Sequence, residues 1–566
     1  MARKYLVFPL VLIPLLIWQF YFKGGRARQE KNEINLLINY QPKTLDPVKV
    51  YDDDSLLVIA QSYETLFQYH YLKRPYSLVP LLSDGMPKTF DQGKRVRFKI
   101  KKGVYYHGLS DRSVRAEDFL YQMKRLADPR NKSPGVWMFK DKIKGFDAFI
   151  KKVSKNPRLF NQLTISGFKI IDDHTFELHL KRPEPNLLYF FAMTFTSPIP
   201  QDIVESKGID FTTQMIGTGP YVLASFTESD ITLKKNALYH EDYYPETGDA
   251  FANTRHLLSS SNERLPFIDK VHFAITPEDE NKWKLFVEGK VDVLAVPKEQ
   301  LFDPSKKGQL SNLERELSYF STLSVRWLSF NMKDAIVGKN LKLREAIVSA
   351  IDRDKYIEVV SKKTNLKANS IFNPGILGYS PSHEMGYVYD LEQAKKLLKA
   401  AGYSPGELTL TYSTRGKKKI QLDEAHFLKQ QLAQIGIELK IQELTFPEFL
   451  KKGRAGELQF FTDNWYYDYP EGENLVQLLV SKNSPGVNKS GFSDLRLDQL
   501  FKELSTATQP SARGSILRRI EKIVVERKPW MMMMYVSAYI AHYKRIQNFR
   551  KSYLIRNYMK YLKVRP

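Results

Sequence analysis

The sequence predicts an α/β protein with mixed parallel and antiparallel sheets, divided into two or three domains. Three observations predict it. Strand-like alternation recurs along the chain, capped amphipathic stripes lie between the alternating runs, and 566 residues are too many for one core. No repeat, low-complexity tract or heptad seam interrupts the pattern.

Taken in order, the chain begins with Arg3 and Lys4 before an apolar run over residues 5–22, broken only by Pro9, Pro14 and Gln19. At ~1.5 Å per residue this run reaches about 27 Å, enough to cross a hydrocarbon core. A cleaved secretory signal is the other reading, but Trp18, Phe20, Tyr21 and Phe22 leave no small-x-small cleavage site. An uncleaved signal anchor with the remainder exported is expected, although Lys23, Arg26, Arg28 and Lys31 on the outer side oppose the usual charge bias. Residues 1–31 are thus signal, anchor and linker.

Period-2 runs follow at Val96/Phe98/Ile100, Phe176/Leu178/Leu180, Val271/Phe273/Ile275, Leu408/Leu410/Tyr412 and Ile437/Leu439/Ile441. Helical stripes occur at Leu343/Ile347/Ile351, at Leu391/Ala394/Leu397/Leu398, at Ala425/Leu428/Leu432/Ile435 and at Leu497/Leu500/Phe501/Leu504. Asp390 caps the second, with Gln393 completing a capping box and Gly402 ending the helix. Residues 245–266, rich in Ser, Asn and Gly, read as a surface loop.

Composition excludes several classes of chemistry. With no cysteine there is no disulfide, thiolate zinc site, cysteine nucleophile or lipidated N-terminal cysteine. The histidines form no HxxxH or other close ligand pair, so no metal or cofactor is expected. A net charge of +23 suits anionic surfaces, yet the basic residues are dispersed. Their densest run follows Glu526, where Lys544, Arg545, Arg550, Lys551, Arg556, Lys560, Lys563 and Arg565 occur without an acid. This tail reads as a solvated, membrane-facing surface, with nucleic-acid binding the minority reading.

No GxSxG elbow, HExxH or SxxK set is convincing, and a phosphate-cradling loop is absent. Gly217-Thr218-Gly219-Pro220-Tyr221 reads as a tight turn into a strand, with the glycines supplying positive φ. Asp52-Asp53-Asp54 reads as a helix N-terminus, and His107 as a hydrogen-bonding turn residue. Met531 to Met534 read as a buried strand more readily than as a ligand surface. The strongest candidate site is Trp465-Tyr466-Tyr467-Asp468-Tyr469-Pro470, one carboxylate among four aromatics. Such a cage suits a cation, though a turn cap or an ion pair is the plainer reading of Asp468 by itself.

These pieces occur in an order that resembles the extracytoplasmic solute-binding proteins of ABC importers, family 5. The matching segments are Thr44-Leu45-Asp46-Pro47, Tyr63-Glu64-Thr65-Leu66-Phe67, residues 96–104, Arg115-Ala116-Glu117-Asp118-Phe119 and Gly217 to Tyr221. Further on come Ser329-Phe330-Asn331, Leu343 to Ile347 with Ala350 to Arg353, Ala394 to Tyr403, Trp465 to Pro470 and Pro529-Trp530. Each is weak alone; their collinear order over about residues 34–550 is specific.

The resemblance implies a two-lobed periplasmic-binding-protein fold of type II with an additional inserted domain and a ligand cleft between the lobes. It places lobe I at 32–63 and 198–278, the additional domain at 64–197, lobe II at 279–525, and a return to lobe I with the basic tail at 526–566. It implies an extended peptide held through its backbone, with Asp468 accepting the ligand's amine, Trp465, Tyr467 and Tyr469 around it, and Leu45 and Asp46 as further ligand residues. The implied partners are a peptide, ABC permease subunits and the cytoplasmic membrane through the N-terminal segment, with a monomeric, non-enzymatic protein in the periplasm or its equivalent. Departures are Glu471-Gly472-Glu473-Asn474 after the aspartate, which would make the rim more acidic, and Tyr105-Tyr106-His107-Gly108 at a family turn. Alternatives are the same fold with a sugar, opine, metal chelate or murein peptide, an exported hydrolase, or a basic envelope or nucleic-acid binder.

Overall fold

The computed structural model describes residues 32–303, 315–382 and 385–565. The N-terminal apolar run lies outside the described residues; among them, no helix is long and apolar enough to cross a membrane.

Three sheets organise the chain. The first has four strands, Glu33–Ile38, Lys270–Ile275, Asp230–Lys235 and Tyr221–Phe226 in spatial order, with the first pair parallel and the others antiparallel. Alternation places Ile34, Leu36 and Ile38 in the same core as Val271, Phe273, Ile231 and Leu233. The second sheet is antiparallel, in the order Lys88–Phe90, Arg95–Lys99, Thr175–His179, Phe168–Asp172, and its core is aromatic. Phe98 and Phe168 stack on Phe176 at 5.1 and 4.6 Å between ring centroids.

The third sheet has seven strands, with Arg315–Phe330 and Trp530–Tyr543 as its long central antiparallel pair. One face packs on helices Leu341–Ala350, Leu391–Ala400 and Lys419–Ala433, the other on Leu495–Leu504 and Pro510–Arg527. Met531 and Met533 enter the first of these cores and Met532 the second, as strand geometry requires.

The chain passes between the first and third sheets at residues 276–292 and again after Tyr543. Asn35 and Asp292 tie the facing edges: Asn35 N donates to Asp292 Oδ2 at 2.8 Å, and Asp292 N to Asn35 O at 2.8 Å. The chain leaves the third sheet after residue 543, not at 526, because Trp530–Tyr543 pairs within that sheet, with Ile540 already packed in the first core.

Three further expectations need correcting. Residues 245–266 are not a plain surface loop: helix Ala250–Thr254 forms there, and Ala252, Leu257 and Leu265 are buried in the first core. Gly217 and Gly219 serve close approach instead of positive φ; a Cβ on Gly217 would stand 2.0 Å from the Ser62 carbonyl oxygen. The basic tail is not a solvated, membrane-facing surface. Ile546, Phe549, Ile555, Tyr558, Met559, Tyr561 and Leu562 enter the first core, and the cations meet acids from elsewhere in the chain. Arg550 pairs with Asp249 at 2.6 Å, Arg556 with Asp53 at 2.7 Å and Lys560 with Asp242 at 2.7 Å.

Candidate ligand-binding site

Strand Phe460–Tyr466 delivers the aspartate-aromatic segment to the boundary between the core behind the third sheet and the aromatic core of the second. Alternation then separates its side chains. Tyr466 stays 42% exposed while Tyr467 is 0% exposed in the core behind the sheet. Trp465 is half-buried; its Nε1 donates to Asn474 Oδ1 at 2.7 Å. The same Asn474 oxygen accepts from Asp468 N at 3.1 Å, and Asn474 Nδ2 donates to Asp468 Oδ2 at 3.0 Å. Buried Asn474 thus fixes the carboxylate and the indole together.

Asp468 borders a cavity of about 350 Å³. The opposite wall comes from helix Asp53–Ile59 and its approach, with Tyr51, Asp53 and Leu56; the floor comes from the C-terminal segment, with Tyr553, Arg556 and Asn557. Asp52 caps that helix, accepting from Ser55 N at 2.8 Å, as the acidic triplet suggests. Tyr466 and Tyr553 pack at 5.4 Å between centroids beside the carboxylate. Among the described residues no cation lies within ion-pair distance of Asp468. Burial pushes its pKa up, opposed by the Asn474 hydrogen bond and by the more distant Arg556. A desolvated carboxylate beside aromatic faces, held by a neutral amide, favours a cationic ligand group.

The other predicted site residues lie elsewhere or act indirectly. Tyr469 leaves the cavity and enters the aromatic core of the second sheet, stacking on Trp137 at 6.2 Å and Tyr189 at 5.8 Å. Tyr467 borders the cavity with its side chain turned into the core. Leu45 and Asp46 do not line it. Leu45 is fully buried in the first core, and Asp46 accepts from Val48 N at 3.1 Å and pairs with Arg125 at 2.8 Å. Glu471 and Glu473 do not acidify the rim either: both pair with buried Arg513, at 3.0 and 3.2 Å. His107 is half-buried, its Nε2 3.1 Å from the Gly219 carbonyl oxygen, and desolvation lowers its pKa to about 4.

Sequence reasoning missed Tyr51, Asp53, Tyr553 and Arg556, and left Tyr466 of the aromatic stretch out of the ligand residues. Tyr466 could have been found from the strand period, since its neighbours at even spacing set the exposed face. Tyr553 and Arg556 carried an aromatic–basic signal, but nothing local said that the tail folds back beneath the cleft.

The family model for bacterial extracellular solute-binding proteins, family 5, matches residues 77–486. A di/tripeptide-binding protein of Pseudomonas aeruginosa is 24% identical over 84% of this chain and 84% of its own length. A heme-binding protein A of Haemophilus influenzae is 23% identical over 87% of this chain and 85% of its own. The periplasmic binding protein DppA of Helicobacter pylori, solved with the peptide STSA, covers 94% of this chain and 98% of its own length with a TM-score of 0.69 at 23% identity. These likenesses show a two-lobed α/β fold.

Proposed function

The chain belongs to the bacterial extracellular solute-binding proteins of family 5, and from that premise we propose that its solute is a peptide whose free amine is held by Asp468. The observation that carries this reading is the carboxylate itself: it borders the cavity, accepts from the neutral Asn474 amide with no cation at ion-pair distance among the described residues, and has aromatic rings beside it. A peptide ammonium supplies the missing charge, and its backbone pairs with the surrounding strand edges without requiring one side chain. The cavity is lined by residues from the cores of all three sheets, Tyr63 of the first, Phe195 of the second and Tyr467 of the third, so a ligand touching both walls favours the closed arrangement over the open one. Bound peptide is then delivered intact to an ABC permease. In this reading residues 1–31 tether a monomer to the cytoplasmic membrane.

Calorimetry with paired peptides, one with a free amine and one N-acetylated, tests the assignment. Asp468→Asn is expected to weaken the free-amine peptide by roughly 30-fold or more, since it removes one partner of a desolvated charge pair. The acetylated peptide should change little. Equal loss for both removes Asp468 as the anchor.

A further inference from the structure

Residues 64–197, which contain the second sheet, carry 25 Lys and Arg against 13 Asp and Glu, so about half of the +23 net charge lies in a quarter of the chain. Part of it is laid out on one face. Alternation turns Val96, Phe98, Phe176 and Leu178 into the aromatic core, against helices Ala116–Ala127 and Phe146–Lys155. The strand residues between them point the other way, where Lys88, Lys99 and Lys169 are exposed to solvent. We propose that this open face of the second sheet is a docking surface for a bilayer rich in anionic phospholipid. The contact is additional to any anchor at the N-terminus and independent of which solute the cleft holds.

Strand register sets the cations side by side. Lys88 lies opposite Arg97, Arg95 opposite His179, and Lys169 opposite Glu177. Neighbouring strands stand about 4.8 Å apart, so these groups and Lys99 form one array. Glu177 sits beneath it, 5% exposed, and joins Arg95 at 3.2 Å, Arg97 at 2.7 Å and His179 at 3.2 Å. Asp91 pairs with Arg95 at 3.0 Å, and Asp172 accepts from His174 N at 2.8 Å. All of these bonds stay within the sheet and its turns. Among the described residues, Lys88, Lys99 and Lys169 form no ion pair. One buried acid thus steadies the guanidiniums, while the outer positive charge is left for a partner.

A broad sheet face fits a bilayer better than it fits a nucleic acid. Sheets that bind single strands stack bases on exposed aromatic rings. Here Phe90, the phenyl ring on this face among the described residues, is already covered by Arg95 and Arg97, whose guanidinium carbons stand 4.4 and 5.3 Å from its centre. Aliphatic side chains border the array instead. Ile170 and Ile171 are exposed on the edge strand Phe168–Asp172, and Met86 just before the opposite edge strand Lys88–Phe90. Such a border suits the headgroup region, where Lys and Arg gain from the negative surface potential and apolar groups enter the acyl boundary.

The chain has no cysteine, so one introduced thiol carries a fluorophore at a known place. The full chain is labelled at Thr175→Cys on the open face, or at Ser154→Cys on the helix layer, and reconstituted into vesicles holding a headgroup-labelled acceptor lipid. The vesicles are phosphatidylcholine alone, or equal parts phosphatidylcholine and phosphatidylglycerol. Energy transfer from position 175 is expected to rise about twofold with phosphatidylglycerol, and to fall back in about 1 M salt, where the screening length is about 3 Å. Position 154 should not respond. Lys88→Glu combined with Lys169→Glu should abolish the rise, with matched thermal melting to show that the variant is folded. No rise at position 175, an equal rise at both positions, or a rise that survives the charge reversal or the salt overturns the surface. Binding of a fluorescent oligonucleotide that the phosphatidylglycerol vesicles cannot displace, and that the same reversal abolishes, overturns lipid as the partner in favour of nucleic acid.

Discussion

Asp468 and the pair Glu471/Glu473 are separated by a few residues, yet their carboxylates live differently. Asp468 borders the cavity with one neutral amide on its carboxylate. Glu471 and Glu473 turn away to buried Arg513, and Asn186, next to Leu187 of the second sheet's core, donates to Glu473 at 2.8 Å. Tyr469 and the glutamates therefore clamp the core of the second sheet to that of the third, while the aspartate just before them faces the cavity. The difference is one of partners: both regions are desolvated, but only one is already neutralised by the fold. A carboxylate left uncompensated in a cavity is a binding feature, and one paired across an interface is a structural feature.

The strongest way to break this contrast is to remove the cation that makes the glutamates structural. Arg513→Met leaves two carboxylates facing each other near a dry interface, and also removes donors to the Leu504 and Ala507 carbonyls. The expected cost is about 3–5 kcal/mol of stability, visible as a large fall in thermal midpoint. Peptide affinity per folded molecule should change far less. If affinity collapses while the midpoint holds, the glutamates belong to the ligand site after all.

A smaller effect is expected at Asn474, which holds the aspartate together with the Trp465 indole. Asn474→Leu keeps the volume but orphans Trp465 Nε1 and the Asp468 backbone N, and removes the donor on the carboxylate. About 2–3 kcal/mol of stability should be lost, from unsatisfied buried groups. Binding of free-amine peptides should weaken by about tenfold, because Asp468 is no longer held in place. Calorimetry and melting on the same preparation separate the two losses. Unchanged affinity would mean that Asp468 needs no positioning.

How much of this was legible in the sequence follows from how local each signal is. The period-2 runs at 96–100, 271–275 and 437–441 became strands, and the stripe capped by Asp390 became helix Leu391–Ala400. Those patterns depend on near neighbours, so a single sequence displays them. Asp468 was visible for the same reason, as a charge set among aromatics. What was hidden depended on distant partners. Nothing near Arg556 or Lys560 announces Asp53 or Asp242, hundreds of residues earlier, so the tail looked solvated. Leu45 and Asp46 looked like ligand residues only through resemblance, while Asp46 spends its charge on Arg125. Glu471 and Glu473 looked like an acidic rim because Arg513 is remote in sequence.

The smallest expected effect is a pH slope in the clamp. Glu184 lies beside it, accepting from Asn186 N at 3.2 Å. Burial, with help from Glu473, raises its pKa from the ordinary 4.5 to about 7, against Lys142, Arg182 and the Asn186 hydrogen bond. A raised carboxyl pKa means that the native state binds the proton more tightly than the unfolded chain. Its contribution to stability is then fully present below about pH 4.5 and is lost as the pH rises towards 7. Glu184→Gln, which stays neutral throughout, should flatten that decline without altering the preference for free-amine peptides. Denaturant midpoints measured from pH 5 to 8 in both proteins provide the check. Parallel curves would show that Glu184 ionises as readily in the clamp as in the unfolded chain, and that the clamp is wetter than its ion pairs imply.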